Sequence, residues 1–301
     1  MANTPSPYPI LKKVSLDGFA SAFFASYPAG FVFDGEAHDF YEAVLVQKGR
    51  AGVTADDAVF ELSAGELILY RPWVFHRLWT IGDTPADLLT FSFSAERMPH
   101  FQNLIFRPDE KETALFVRRM KTARDIFLFR GIQVVGIREG CSLGAQKLLQ
   151  ATEQFLLSLL SGDPVFGLED RSVPAHHYVE LISCMRRNIG RSLNVEQLAR
   201  MTSLSPDNIK KIMEKYAGEG VMQHFTRLKI QEGMRLLEEG ALVCEAAERV
   251  GYSDPDLFGA AFKRVAGMSP SEWKKARGSK ITELLRKNAE IRCKQEKMLV
   301  K

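Results

Sequence analysis

The sequence predicts an α+β protein of two domains, strand-rich in front and all-helical behind, and three observations carry that prediction. At 301 residues the chain is long enough to build two cores. Near Ser142 its apolar pattern changes from short alternating runs to helical spacing. Behind that point a block of sequence repeats itself after 48–49 residues.

From Ala29 to Phe93, short apolar runs are punctuated by turn residues. Phe40–Val46 ends in Gln47-Lys48-Gly49, Val59–Leu62 in Ser63-Ala64-Gly65, and Leu67–Tyr70 at Arg71-Pro72. Leu88–Phe93 alternates, and Asp56-Asp57 has the look of a hairpin tip. Strands of this length and spacing, rich in aromatic and β-branched residues, form an antiparallel sandwich or small barrel. Lys111–Phe129 is helix-like. The apolar residues from Ser142 to Leu160 then keep helical spacing until Ser161-Gly162-Asp163-Pro164 stops them. The polar stretch Gly167–Pro174 reads as a linker. The expected layout is a front domain over residues 1–165, a helical domain over 174–278 and a charged tail over 279–301, read as a solvated, partly frayed helix.

The repeat sits in the helical half. Leu198-Ala199 is followed by Ser203-Leu204-Ser205, and Ala246-Ala247 by Gly251-Tyr252-Ser253, 48 residues later. After one extra residue, Ile209 corresponds to Phe258, Met213 to Phe262, Gly218 to Gly267 and His224 to Trp273. A small residue that lets two helices approach, a turn residue at the bend and a serine able to cap the next helix define a helix–turn–helix. Two copies in register make the second helix of each available to a DNA major groove. Val221–Glu239 is one long helix that sets their separation.

Charge agrees once it is divided. The total of +3 conceals −4 over residues 1–173, +3 over 174–278 and +4 over 279–301. No apolar run approaches the ~18 residues of a membrane span. The polar start, Met1–Pro9, lacks the pattern of a secretory signal. Cys141, Cys184, Cys244 and Cys293 are widely separated, as in reduced cytoplasmic proteins. No nucleophile–base set and no phosphate-binding glycine loop turns up, so the chain is read as a non-enzyme.

The stretches LSPDNIKKIMEKYAG, FTRLKIQEGMRLLEE and AAERVGYSDPDLFGAAFKRVAGMSPSEWKK make residues 177–277 resemble the DNA-binding domain of the AraC/XylS family of bacterial transcription regulators. The resemblance implies a seven-helix domain on two successive major grooves of double-stranded DNA, a homodimer, contact with RNA polymerase, and activation as the usual outcome. The first recognition helix, 205–217, offers Ser205, Pro206, Asp207, Asn208, Lys210, Lys211 and Lys215 to DNA. The second, about 254–266, offers Asp256, Gly259, Ala260, Lys263 and Arg264, with Ser253 just ahead of it. The family usually places Ser and Arg where this chain has Gly259 and Ala260, so base reading is expected mainly from the first unit and backbone clamping from the second.

The front domain resembles the cupin-like effector barrel common in such regulators. Gly30, Glu36, His38, Glu42 and Gly49 keep the cupin spacing with Glu in place of the first histidine. Gly65, Pro72 and His76 mark a second half that is one residue longer, with Val74 where the template has glycine. Glu36, His38, Glu42 and His76 are weak metal-ligand candidates, and no cofactor is expected. His38, Glu42, Arg71, Trp73, His76 and Trp79 are the candidate contacts for a small-molecule effector, a sugar or other small metabolite. The expected function is an effector-responsive transcription regulator in the cytoplasm. The alternatives are a metal-dependent cupin enzyme with an accessory DNA domain, and an effector-independent DNA binder.

Overall fold

In the computed structural model, residues 12–56, 58–101, 104–161, 168–169 and 173–276 are described. The tail 279–301, Cys293, Asp57 of the hairpin tip and half of the linker lie outside them. The chain divides into two units, the second beginning at His177.

The first unit is built from β1 (Ser15–Tyr27), β2 (Val32–Glu36), β3 (Tyr41–Lys48), β4 (Arg50–Ala55), β5 (Ala58–Ser63), β6 (Leu67–Tyr70), β7 (His76–Thr80), β8 (Ala86–Arg97) and β9 (Leu104–Phe106). Then come α1 (Glu110–Met120), α2 (Ala123–Ile126), β10 (Phe127–Arg130), β11 (Gln133–Ile137), α3 (Ser142–Ser161) and the short β12 (Leu168–Glu169). Two antiparallel sheets result, ordered β10-β11-β1-β8-β3-β6-β9 and β12-β5-β4-β7-β2. They form an antiparallel sandwich with open edges, the first of the two forms expected from sequence; among the described residues no ladder joins them. The helix-like stretch 111–129 also ends early, since the chain turns extended at Phe127 to pair with Ile137.

The central strands of the seven-stranded sheet, β3, β6 and β8, are buried on both faces. On β3, Ala43 and Leu45 face α1, α2 and α3, packing with Leu89, Phe91, Phe116, Leu148 and Phe155. Val44 and Val46 face the other sheet, against Val53, Leu62 and Tyr70. This explains why FYEAVLV is a continuous apolar run rather than an alternating one. Asp109 caps α1 by accepting from the amides of Lys111 and Glu112. Helix α3 buries Ala145, Leu148, Phe155, Leu156 and Leu159 on its own sheet and leaves Leu143 and Leu157 exposed.

The second unit holds α4 (Val173–Arg187), α5 (Val195–Thr202), α6 (Pro206–Tyr216), α7 (Val221–Glu238), α8 (Val243–Arg249) and α9 (Pro255–Ala266), with residues 270–276 also helical. The sequence repeat is a structural repeat. Ile209 and Phe258, Met213 and Phe262, and His224 and Trp273 are all buried. The bend between α5 and α6 is made at Ser203 (φ 56°), and that between α8 and α9 at Gly251 (φ 77°). Both are left-handed, a conformation that costs an L-residue side-chain crowding and glycine nothing. Ser205 caps α6 by accepting from Asn208 N. In the second unit the cap is not Ser253 but Asp254, which accepts from Asp256 N. The extra residue between the repeats puts the cap one position later.

Lys229 of α7 ties the two halves of this unit together. Its ammonium donates to Ile189 O and Val250 O beside the rings of Phe225 and Tyr252. Burial pushes its pKa down to about 8. Nearby, Glu219 Oε1 accepts from His224 Nδ1 (2.7 Å) and from Arg227 Nε and Nη2 (3.0 and 2.8 Å), fixing the entry to α7.

Candidate functional site

Two candidate sites emerge, one in each unit. The first lies between the sheets. A register row crosses four neighbouring strands of the larger sheet: Ser21 pairs with Ser92, Ser92 with Glu42, and Glu42 with Tyr70. Glu42 follows the same alternation as Val44 and Val46 and therefore points into the sandwich. The Ser92 hydroxyl donates to Glu42 Oε2 (2.7 Å), and the Ser21 and Ser92 hydroxyls are bonded to each other (2.7 Å). Opposite, at the start of β7, His76 stacks on Tyr70 with ring centres 4.4 Å apart. His38, in the segment leading into β3, stacks on Phe40 and meets His76 edge-on at 5.0 Å.

Both imidazoles are oriented by the backbone. His38 Nδ1 lies 3.1 Å from Phe40 O and His76 Nδ1 lies 3.0 Å from Val74 O. A carbonyl oxygen only accepts, so each Nδ1 donates, and in the neutral ring Nε2 is left with a bare lone pair. Those two Nε2 atoms are buried without a hydrogen-bond partner among the described groups. They face carboxylates: His76 Nε2 is 3.1 Å from Glu42 Oε1 and 4.0 Å from Glu36 Oε1, and His38 Nε2 is 3.6 Å from Glu42 Oε2. Burial alone would raise the Glu42 carboxyl. The facing His38 and His76 and the Ser92 hydroxyl outweigh it and hold Glu42 well below the usual carboxylate range. Burial likewise works to lower His76, but Glu42 outweighs it and raises the imidazole.

The ligand atoms of Glu36, His38, Glu42 and His76 all lie within 4.8 Å of one another. Two lone-pair nitrogens directed at two carboxylates suit a cation between them, and this donor set fits a divalent first-row metal. The backbone bonds at Nδ1 are the outer support that a metal-bound histidine needs. Glu36 is half exposed and forms the rim, His38 is partly buried, and Glu42 and His76 are buried. The four residues singled out by spacing are thus brought together.

The other effector candidates separate. Trp73 has a left-handed backbone (φ 67°), and its amide donates to His38 O (2.7 Å), placing segment 71–75 beside the cluster. Arg71, in the same segment, has a buried Nε with no hydrogen-bond partner among the described groups. Trp79 lies elsewhere. It pairs with Gly52, whose missing Cβ makes room for the indole, whereas His76 pairs with Ala55 on the inner face. Three residues along a strand reverse the face, so Trp79 points away from the interior. Ser21, Ser92 and Tyr70 escaped sequence reasoning, because only the cross-strand register brings them to Glu42.

The second candidate site is the outer surface of α6 and α9. On α6, Asp207, Lys210, Lys211 and Lys215 are exposed and Pro206 and Asn208 partly so, with Lys210 Nζ 3.8 Å from Asp207. Around α9, Ser253, Asp256, Ala260, Lys263 and Arg264 are exposed and Gly259 is intermediate. Leu257, missed from sequence, is 61% exposed. All the basic residues of α9 fall in its last turn.

Comparison with known proteins matches these two regions separately. Residues 19–150 fit the family model of an AraC-like ligand binding domain, and residues 198–276 that of a helix-turn-helix domain. The Msm operon regulatory protein of Streptococcus mutans is 23% identical over 252 residues, spanning 82% of this chain and 88% of its own length. The HTH-type transcriptional activator RhaR of Salmonella schwarzengrund is 20% identical over 266 residues, 81% of this chain and 87% of that protein. Among solved structures, ToxT from Vibrio cholerae aligns over 84% of this chain and 96% of its own at 13% identity, with a TM-score of 0.36.

Proposed function

The chain belongs to the AraC/XylS family of transcription regulators, with a ligand-binding domain followed by a DNA-binding helix-turn-helix domain, and from that premise we propose how each part works. Helices α6 and α9 enter successive major grooves of one duplex. Ser205, Pro206, Asp207, Asn208, Lys210, Lys211 and Lys215 form the reading surface of α6, and Lys263 and Arg264 of α9 hold phosphates. Lysines reach guanine edges or phosphate, and asparagine can pair with adenine. The sandwich interior is the effector site, and the Glu36, His38, Glu42 and His76 cluster holds a divalent metal ion there. Bound, the ion would supply a Lewis-acidic centre on which an oxygen-bearing effector is recognised, with Arg71 and Trp73 beside it. The observation that carries this is the convergence of the two buried Nε2 atoms with the carboxylates of Glu42 and Glu36, all within 4.8 Å of one another.

Effector binding shifts how the DNA domain is held only through unequal affinity for two arrangements. Exposed Leu143 and Leu157 on α3 and Leu115 on α1 suit a dimer contact. A homodimer that recruits RNA polymerase as an activator, in the cytoplasm, completes the reading. No described helix is long and apolar enough to cross a membrane.

The test is metal analysis of the purified full chain, followed by DNA binding before and after chelation. Zinc, manganese or iron bound at about one per chain, and lost in Glu42→Gln and His76→Ala, supports the cluster as the effector centre. Full regulation of DNA binding in metal-free protein overturns it. Turnover of a metabolite by the metal-loaded chain would instead favour the cupin-enzyme alternative.

A further inference from the structure

The two recognition helices differ in what they show to solvent. Helix α6 presents Lys210 and Lys211 in mid-helix, where their donors reach base edges. The first two turns of α9 present no such donor. They expose Asp256, Leu257 and Ala260, with Phe258 turned into the core. Leu257 and Ala260 are three apart and so share a helix face. Gly259 lies between them, and a Cβ added there would meet nothing within 4 Å, so packing does not require glycine. A helical glycine without a packing role is a cost of the kind that leaves room for another molecule to approach the backbone.

An exposed leucine on a surface that otherwise carries charge is matched by only one exocyclic group in the major groove, the 5-methyl of thymine. The basic residues in the last turn of α9 sit where they can hold phosphate, while the first two turns carry no basic donor. We propose that Leu257, backed by Ala260, reads thymine by its methyl group in the half-site taken by the second helix-turn-helix unit. Base specificity there is then apolar, whereas the first unit reads by hydrogen bonds. This rests on the placement of α9 in a major groove proposed above.

The test uses duplexes recovered by in vitro selection with the full-length chain, with each thymine in turn replaced by uracil. That exchange removes one methyl and keeps the pairing. Burying one methyl is worth about a fourfold change in affinity, so wild type should lose ~3–5-fold at one or two thymines of the second half-site. Leu257→Ala should bind all these duplexes within about twofold of one another, while keeping wild-type helicity, since the position is exposed and alanine favours a helix. The inference is overturned if no thymine methyl matters in that half-site, if the site contains no thymine, or if Leu257→Ala still discriminates uracil. Lys263→Ala separates the two readings. If it weakens binding while uracil substitution is silent, α9 is in the groove and only the methyl reading fails. If neither it nor Leu257→Ala has any effect, the placement of α9 fails as well.

Discussion

Substituting Gly251 by alanine tests the bend on which the second helix-turn-helix unit depends. Gly251 sits at φ 77°, and a Cβ built there would meet Gly190 O at 2.5 Å, Gly190 C at 2.7 Å and Lys229 Nζ at 2.9 Å. Alanine in the left-handed region costs ~1–2 kcal/mol. Forcing a side chain against a backbone carbonyl that cannot swing aside adds ~1–3 kcal/mol of overpacking. The stiffer unfolded chain returns ~0.4–1 kcal/mol. The net loss is ~2–4 kcal/mol, much of the ~5–15 kcal/mol typical of a domain. Thermal unfolding followed at 222 nm should show the helical transition lowered by roughly 10–20 °C, with amide protection lost first in α8 and α9. The equivalent bend residue of the first unit gives the opposite sign. Ser203 is left-handed and exposed, so Ser203→Gly should be neutral or stabilising by up to ~1 kcal/mol. If Gly251→Ala unfolds within ~1 kcal/mol of wild type, the strain argument for the repeat is refuted.

Three further outcomes follow from contacts already described. Glu219→Gln leaves the buried Arg227 without its counter-charge and should cost ~2–4 kcal/mol at neutral pH. Burial acts to raise the Glu219 carboxyl, but the His224 hydrogen bond and the Arg227 charge hold it below its ordinary value. The stabilisation is therefore complete above the unfolded pKa of 4.5 and is lost as pH falls through the lower folded one, so the gap between wild type and variant in unfolding experiments should close in acid. Gly52→Ala would drive a Cβ into the Trp79 indole, which lies 2.0–2.3 Å from that point; a loss of ~1–3 kcal/mol is expected in denaturant titration of the first unit. On DNA, Lys211→Ala should relax preference at one base position, while Lys263→Ala should weaken all sites alike and lower the salt slope by ~0.9. The reverse pattern in binding isotherms would exchange the roles given to α6 and α9.

What could be read from the sequence was what depends on residues close together along the chain. The helix-turn-helix repeat was visible because Ala199, Ser203 and Ser205, and their counterparts from Ala247, lie within one turn and bend. Glu36, His38 and Glu42 were found by spacing along one short stretch of chain, the end of β2 to the start of β3, and His76 by a second short motif. What needed distant pairing stayed hidden. Strand β1 has a broken alternation with register shifts near Ser15, Gly18 and Phe19, and it is held by β8. Ser92 reaches Glu42 only through the pairing of β8 with β3, and Ser21 joins Ser92 only through that of β1 with β8. Phe127 continues a helical pattern that ends because Ile137, ten residues on, offers it a ladder. Trp79 was misplaced for a simpler reason, since an odd step from His76 along a strand changes the face.

Strand β3, covered on both faces, is intolerant above all of altered length. Deleting Tyr41 would move every later position of the strand to the opposite face. The carboxylate would be delivered to the helical layer, and Ala43 to the place where the two histidines converge. Insertions and deletions in natural variants should therefore gather in the turns, as at Gly30 or Gly82, and spare the span from Tyr41 to Val46. In a chain evolving toward a new effector, this strand is the ruler against which the loops are free to change.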